Sequence, residues 1–198
     1  MRAHLIDSDQ REVAAETLAE AFYNEPLLQV LAPDRRRRMA VGRWFFRVSV
    51  DYGMRWGRVW VADGAAAVSI WLPPGSRYSA LRSARVGMAA FPFRVGLGPM
   101  LDIMRVAPAL ERLHRSVDGL HWYLMTIGMR PSRQGEGLGS VLVTAGTSQA
   151  DLAGLPCYLE TAAQVDFYAK RGFEVVGRDE LNVHTFFGML RPPASPCT

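Results

Sequence analysis

Residues Arg130 to Leu142 read RPSRQGEGLGSVL. Pro131 stops the segment before it, because proline removes a backbone donor and drives its neighbour out of helical geometry. Gly135, Gly137 and Gly139 follow. Without a Cβ, such positions adopt positive φ at little cost and let a ligand approach the backbone. Leu138, Val141, Leu142, Ala145 and Leu152 then recur at helical spacing, which predicts a helix with these residues on one buried face. The stretch from Gln134 to Ser140 therefore offers backbone N–H groups at a helix mouth, where partial positive charge collects. That arrangement suits a phosphate or pyrophosphate. The details exclude two common phosphate loops. A Walker A loop requires Gly-Lys-Ser/Thr where this chain has Gly-Leu-Gly-Ser, and a dinucleotide fingerprint spaces its glycines G-x-G-x-x-G rather than G-x-G-x-G. A Rossmann loop also belongs to an early βαβ unit, whereas this one lies two-thirds of the way along. On these residues alone, a glycine turn that only caps a helix stays open beside the anion site.

The flanking sequence supplies the rest of an α/β pattern. LHWYLMTIGM, residues 120–129, is aromatic and β-branched and reads as a strand. GLPCYLET, 154–161, reads as another after the helix, followed by a short helix in VDFYAKRG that ends at Gly172. FEVVG and HTFFGML read as closing strands. Upstream, RVWVADGAAAVSIWLPP, 58–74, reads as a hairpin about Asp63-Gly64. DQREVAAETLAEAFY reads as a helix in which Asp9 and Glu12 have capping-box spacing, Val13, Thr17 and Ala21 mark one face, and Pro26 closes the segment. A second helix is expected from Asp34, with Val41, Trp44, Phe45, Val48 and Tyr52 at helical spacing. The run Arg35 to Arg38 falls in its first turn, the unfavourable end for cations, and reads as a solvated face, with a phosphate or acidic-substrate contact as the other reading. Residues 76–118 read as helical and irregular. The expectation is a single domain over 1–198.

The chain has 198 residues, 49% of them hydrophobic and 21% charged, which fits a folded core and excludes a disordered chain. Its net charge of +4 favours anionic ligands but is too mild to imply nucleic acid. The most apolar stretch, 86–110, is interrupted by Arg94, Asp102, Arg105 and prolines 92, 99 and 108, so no membrane span is expected. The N-terminal residues lack an apolar signal-like run, and the expected location is cytoplasmic. Cys157 and Cys197, with His4, His114, His121 and His184, are scattered, so neither a metal site nor a disulfide framework is expected.

IGMRPSRQGEGLGS resembles the coenzyme A signature of the GNAT acetyltransferase superfamily, Gln/Arg-x-x-Gly-x-Gly/Ala, with Gln134, Gly137 and Gly139 filling the pattern. FYAKRGFEVVG is similar to that family's late segment around a tyrosine and a Gly-Phe pair. RVWVADGAAAVSIW, HWYLMTIGM and the span from YLET to FYAKRGF look like the puromycin N-acetyltransferase branch. Gln164 departs from the branch, since relatives carry Asn four residues before the tyrosine, and the Glu160–Tyr168 interval looks about two residues shorter. The resemblance implies a GNAT-type domain with a mixed, mostly antiparallel sheet, splayed at the cofactor cleft and flanked by helices. It also implies direct acetyl transfer from acetyl-CoA to an amine, here expected to be a primary amine of a small, antibiotic-like molecule.

The family chemistry assigns expectations to residues. Ile127, Gly128 and Met129 should offer a strand edge to the amides of the pantetheine arm, in the manner of an added strand. Gly128 is expected to mark a bulge that splays the sheet, and an N–H there would serve the thioester oxygen. Gln134, Gly135, Glu136, Gly137, Leu138, Gly139 and Ser140 should cradle the pyrophosphate. Tyr168 matches the family tyrosine and is expected to reprotonate the leaving thiolate, an amphipathic core tyrosine with its hydroxyl at the surface being its other reading. Glu160, at a strand end facing the cleft, is a candidate base or amine anchor, and an ion-paired structural carboxylate is its other reading. Trp122 and Tyr123 fit a core role or an acceptor wall. Arg133, Lys170 and Arg171 read as surface charge within reach of phosphates. Within 76–118, Met88, Phe91, Phe93, Leu97, Met100 and Met104 suit a wall over the acceptor site, or packing against the core or a second subunit; a homodimer is left open. A protein amine as acceptor, and a coenzyme A-binding regulatory module without turnover, remain the alternatives.

Overall fold

The computed structural model describes residues 2–76, 78–115, 117–181 and 184–194. Seven strands form one sheet in the order β1-β2-β3-β4-β5-β7-β6. They are β1 (Ala3–Leu5), β2 (Arg58–Ala62), β3 (Ala67–Leu72), β4 (Trp122–Met129), β5 (Cys157–Thr161), β6 (Glu174–Leu181) and β7 (His184–Arg191). Every neighbouring pair is antiparallel except β4 and β5, which run parallel. The hairpin, the 120–129 strand and the later strands lie where the sequence places them. The short β1 is not legible in sequence, because three residues carry no usable periodicity.

One face of the sheet is covered by α1 (Arg11–Ala21), α3 (Arg35–Trp56) and α6 (Leu97–Arg115); α7 (Leu138–Leu152) and α8 (Val165–Ala169) cover the other. Short helices α2 (Pro26–Leu31), α4 (Ala80–Arg85) and α5 (Phe91–Val95) fill the connections. Leu18, Leu28, Phe46 and Val50 pack on Val59, Val61, Val68 and Ile70 on the first face. Val143 and Ala150 meet Trp71, Leu124 and Leu159 on the second, and Leu138 and Leu142 meet Ala62 and Ala67 there. The interior strand β3 is buried at every residue, as a strand covered on both faces must be. Each fully buried aliphatic side chain contributes about 1.5–3 kcal/mol relative to exposure.

Several local expectations are corrected. The N-terminal cap is formed at Asp7, whose N–H donates to Gln10 Oε1 at 3.1 Å, so a turn of 3-10 helix precedes α1 and Asp9 is not the cap. Val13 is exposed, and the buried face of α1 runs through Ala14, Thr17 and Leu18. Pro26 opens α2 rather than only closing α1. Leu152 is 84% exposed, and Val143, Gly146 and Ala150 complete the buried face of α7; Gly146 leaves room for the indole of Trp71 lying against it. Asp34 caps α3 by accepting from Arg36 N–H at 2.9 Å. Arg38 leaves the solvated run: it is buried, donating to Ala32 O at 2.9 Å and to Pro33 O at 3.0 Å, so its charge ties the α2–α3 turn. Cys157 is buried and free, and Cys197 lies outside the described residues.

Candidate active site

The parallel pairing of β4 and β5 lasts three residues, from Trp122↔Cys157 to Leu124↔Leu159. Beyond it the two strands diverge. The cause lies one strand away. Against β3, Ile70 pairs with Thr126 but Trp71 pairs with Leu124, so Met125 is an extra residue. Such a bulge bends and twists its strand, and here it bends β4 off β5 at the end of their pairing. The bulge expected at Gly128 is therefore at Met125. Gly128 is bare for another reason: a Cβ there would lie 2.9 Å from Ala21 Cβ and 3.0 Å from Leu18 Cδ2, so its absence lets α1 pack on the strand.

From Met125 to Met129 the β4 edge turned toward β5 has no registered strand partner among the described residues, and it leads directly into the glycine loop. Gly135 and Gly137 adopt φ of +85° and +81°, in the left-handed region, and a Cβ at either would meet nothing within 4 Å. Gly137 is the N-cap of α7. Its carbonyl takes Ser140 N–H and Val141 N–H, leaving the N–H groups of Leu138 and Gly139 as orphans of the first turn. Gly139 is bare for packing, since a Cβ would lie 2.9 Å from Met129 Cε and 3.1 Å from Phe167 Cζ. A pyrophosphate at the loop and an amide-bearing arm along β4 fit this open backbone.

Charge around the mouth is arranged by two arginines. Arg133 grips Glu136 at 2.7–2.9 Å and also pairs with Asp63 on the hairpin turn. The grip holds the Glu136 carboxyl below the usual carboxylate range. Arg171 donates to Phe167 O and Ser140 Oγ, and its guanidinium stands 3.6 Å from the centre of the Phe167 ring. A fixed cation therefore lies beside the first turn of α7. Lys170 is exposed.

Tyr168, on α8, is buried with Leu159, Phe173 and Trp71 on the α7 side of the sheet. Burial pushes its phenol well up, against the opposing pull of Arg171, so the group keeps its proton and can act only as an acid near neutrality. Glu160 is the first β5 residue past the last pairing with β4. Alternation along β5 turns Tyr158 and Glu160 to the α6 side, opposite Leu159. Tyr168 and Glu160 thus flank the split from opposite faces. Gln164 N–H donates to Thr161 Oγ1 at 3.1 Å, so Thr161 holds the turn before α8.

Sequence reasoning missed the surroundings of Glu160. His114, in the last turn of α6, brings Nδ1 to 3.5 Å from Glu160 Oε1. His121 Nε2 lies 3.1 Å from His114 Nε2. The ring of Tyr123 meets His114 edge-on at 4.5 Å between centres, and Tyr158 stands 5.1 Å from it. Burial and the neighbouring Glu160 push both phenols up. Trp122 points the other way into the core. The histidines are seven residues apart and Glu160 is far downstream, so no local motif announces the cluster; only the alternation of Tyr158 with Glu160 hints at a shared face. Within 76–118, Phe91 packs on Trp44, Phe93 is 90% exposed, and Met88 and Met100 pack against the first-face core.

Comparison with known proteins bears directly on this arrangement. The model of the acetyltransferase (GNAT) family matches residues 73–173, just over half of the chain and the whole span from the end of β3 through α8. An uncharacterized N-acetyltransferase of Schizosaccharomyces pombe is 26% identical over 174 residues, covering 82% of this chain and 69% of its own. Among solved structures, the histone acetyltransferase HPA2 and related acetyltransferase of Corynebacterium glutamicum superposes with a TM-score of 0.72 at 21% identity, covering 100% of this chain and 98% of that one. A putative arylalkylamine N-acetyltransferase 7 of the yellow fever mosquito superposes with a TM-score of 0.65 at 13% identity, covering 96% and 86%. The polyamine N-acetyltransferase of Drosophila melanogaster gives 0.58 at 15%, covering 96% and 98%. With its split sheet and glycine loop inside the matched span, this chain belongs to the GNAT acetyltransferase family and is an N-acetyltransferase.

Proposed function

We propose that the enzyme takes the acetyl group from acetyl-CoA and transfers it to the primary amine of a small molecule, as the similarity to the puromycin branch suggests. The observation that carries this reading is the split after Leu124 and Leu159, which opens a β4 edge running into the positive-φ glycines at the mouth of α7. Acetyl-CoA supplies a thioester carbonyl for nucleophilic attack. The N–H groups of the 134–140 loop hold its pyrophosphate, with Arg171 adding positive charge, and the β4 edge at Ile127, Gly128 and Met129 aligns the pantetheine amides. Tyr168 keeps its proton until the thiolate needs one. Glu160 serves the amine from the other face. Structural neighbours named for arylalkylamines and polyamines are compatible with a small amine, and the neighbour named for a histone acetyltransferase keeps a protein amine as the alternative. The basic balance of the chain, +4, also disfavours a cationic protein tail.

The test is release of free thiol from acetyl-CoA across a panel of alkylamines, arylalkylamines and polyamines, with mass spectrometry of the products. Acetylated small amine is the expected product. Thiol release only with a peptide substrate would move the assignment to protein acetylation, and acetyl-CoA binding without release would make the chain a binding module.

A further inference from the structure

The outer layer built on α3 differs from the rest of the surface. From Tyr78 to Val95 the chain runs back along α3, which has 22 residues and is roughly 33 Å long. Ser79 N–H donates to Tyr52 Oη at 3.1 Å, the Arg82 guanidinium stands 5.8 Å from the centre of the Trp56 ring, Phe91 packs on Trp44, and Arg37 donates to Arg94 O at 3.1 Å. Helix α6 then presents Leu97, Leu101 and Met104 at i, i+4 and i+7, which places them on one face. These three are 69%, 49% and 60% exposed, and Phe93 just before them is 90% exposed. Among the described side chains of residues 80–105, every exposed one is apolar or glycine except Arg85, Arg94 and the Asp102–Arg105 pair.

Charge on this layer has one sign. Arg35, Arg36, Arg37, Arg82, Arg85 and Arg94 have no carboxylate partner among the described residues, whereas Arg11, Arg43 and Arg191 elsewhere do. The carboxylates beside them in sequence are already used: Asp102 takes Arg105 at 2.8 Å, and Asp34 caps α3. A second copy laid on the same face would bring the same arginines together and offer them no free carboxylate. A specific protein interface carries about one hydrogen bond per 100–200 Å², and between these apolar side chains only arginine is free to make one. An anionic bilayer supplies both requirements, phosphate for the guanidinium heads and an acyl boundary for the apolar side chains and the arginine stems. No helix among the described residues is long and apolar enough to cross a membrane, so the layer would lie on the surface. We propose that the face formed by α4, α5, α6 and the start of α3 docks the protein on an anionic membrane surface, with Phe93, Leu97, Leu101 and Met104 entering the acyl boundary and the arginines meeting lipid phosphates.

The test is co-sedimentation of the full chain with vesicles of phosphatidylcholine alone and of phosphatidylcholine with an equal part of phosphatidylglycerol. Binding to the mixed vesicles is expected to be at least about tenfold tighter than to the neutral ones, and to weaken as salt is raised. Phe93→Ser with Leu101→Ser keeps every charge and should loosen it by about tenfold. Arg37→Gln with Arg94→Gln should loosen it by about the same factor. Leu152→Ser, at an exposed leucine of α7 on the other side of the sheet, should change nothing. Circular dichroism of each variant should match wild type, since the replaced side chains are exposed. No binding to either vesicle, or binding that Phe93→Ser with Leu101→Ser leaves unchanged, would overturn the proposal. A dimer in ultracentrifugation that the same two substitutions abolish would overturn it in favour of self-association. Binding to polyglutamate as tight as to the mixed vesicles would overturn it in favour of an acidic protein partner.

Discussion

On the β4 side of the split, the groups facing the gap are backbone amides: a strand edge from Met125 to Met129, then a loop whose Gly135 and Gly137 have positive φ. On the β5 side they are side chains: Glu160, with Tyr158, Tyr123, His114 and His121 gathered from β5, β4, α6 and the segment between α6 and β4. A backbone surface needs special residues at fixed local spacing, because only glycine gives the conformation and the access. A side-chain surface needs only that the fold bring the right groups together, and it leaves no local spacing behind. The first kind suits an invariant ligand portion such as a pyrophosphate and a chain of amides. The second can be changed residue by residue, so it suits a ligand portion that varies.

The largest expected effect lies where the two sides meet. Tyr168→Phe keeps the packing with Leu159 and Phe173 and removes only the hydroxyl. Turnover measured where chemistry limits the rate should fall roughly 10²–10⁴-fold with little change in KM for acetyl-CoA. Because burial raises the phenol, its acid form persists through neutral and mildly alkaline pH, and loss of activity from its ionisation should come only as pH climbs through that raised value. Wild-type turnover in this mutant would return Tyr168 to the core.

Gly137→Val attacks the backbone side alone. A branched side chain would stand in the open cradle at φ +81°, a conformation costing about 1–2 kcal/mol for an L-residue. Acetyl-CoA affinity by calorimetry should fall by about tenfold or more while the circular dichroism of the folded state persists. Gly188→Ala attacks the side-chain side. Gly188 is the register partner of Glu160, and a Cβ there would lie 2.7 Å from Tyr158 Oη and displace the ring. Turnover should fall by about tenfold with acetyl-CoA affinity unchanged, since a small misplacement of a reacting constellation is costly in rate. Equal damage to affinity and turnover in either mutant would erase the distinction between the two sides.

The smallest effect belongs to a control outside both. Asp151, at the end of α7, takes two bonds from Arg191 at 2.8 and 3.0 Å and one from Ala194 N–H at 2.7 Å, and the arginine holds its carboxyl below the usual range. A depressed folded value means stability present above the unfolded carboxylate value and lost as pH falls through the folded one. Asp151→Asn should therefore cost about 1–2 kcal/mol at neutral pH, discounted for partial exposure, and the gap from wild type in a thermal melt should shrink below about pH 4. Kinetics should not move.

The same contrast explains what the sequence makes legible. RPSRQGEGLGS announces the loop because its function is written in residues that lack side chains. The helix after it and the strands around it are visible in apolar spacing. Glu160 and Tyr168 are found through a strand end and a family segment, but nothing in LERLHRSVDGLHWY says that His114 and His121 will meet Glu160, since that depends on where α6 crosses the sheet. The bulge departs from its expected place for a related reason. Gly128 carries the expected signature of a bulge but serves α1 packing, whereas the extra residue, Met125, is ordinary in sequence and is revealed only by the register against β3. Arg38 shows the limit of reading charge runs, because one member of four finds two carbonyls and is buried.

The central claim is that a backbone-built cleft between β4 and the α7 loop receives acetyl-CoA. Amide hydrogen–deuterium exchange with and without saturating acetyl-CoA measures those groups directly. Slowed exchange is expected in 126–129 and 134–140, with little change in β1, β2 and the 76–118 segment. Unchanged exchange in both of those stretches at saturating acetyl-CoA, or protection confined to another surface, would contradict the account.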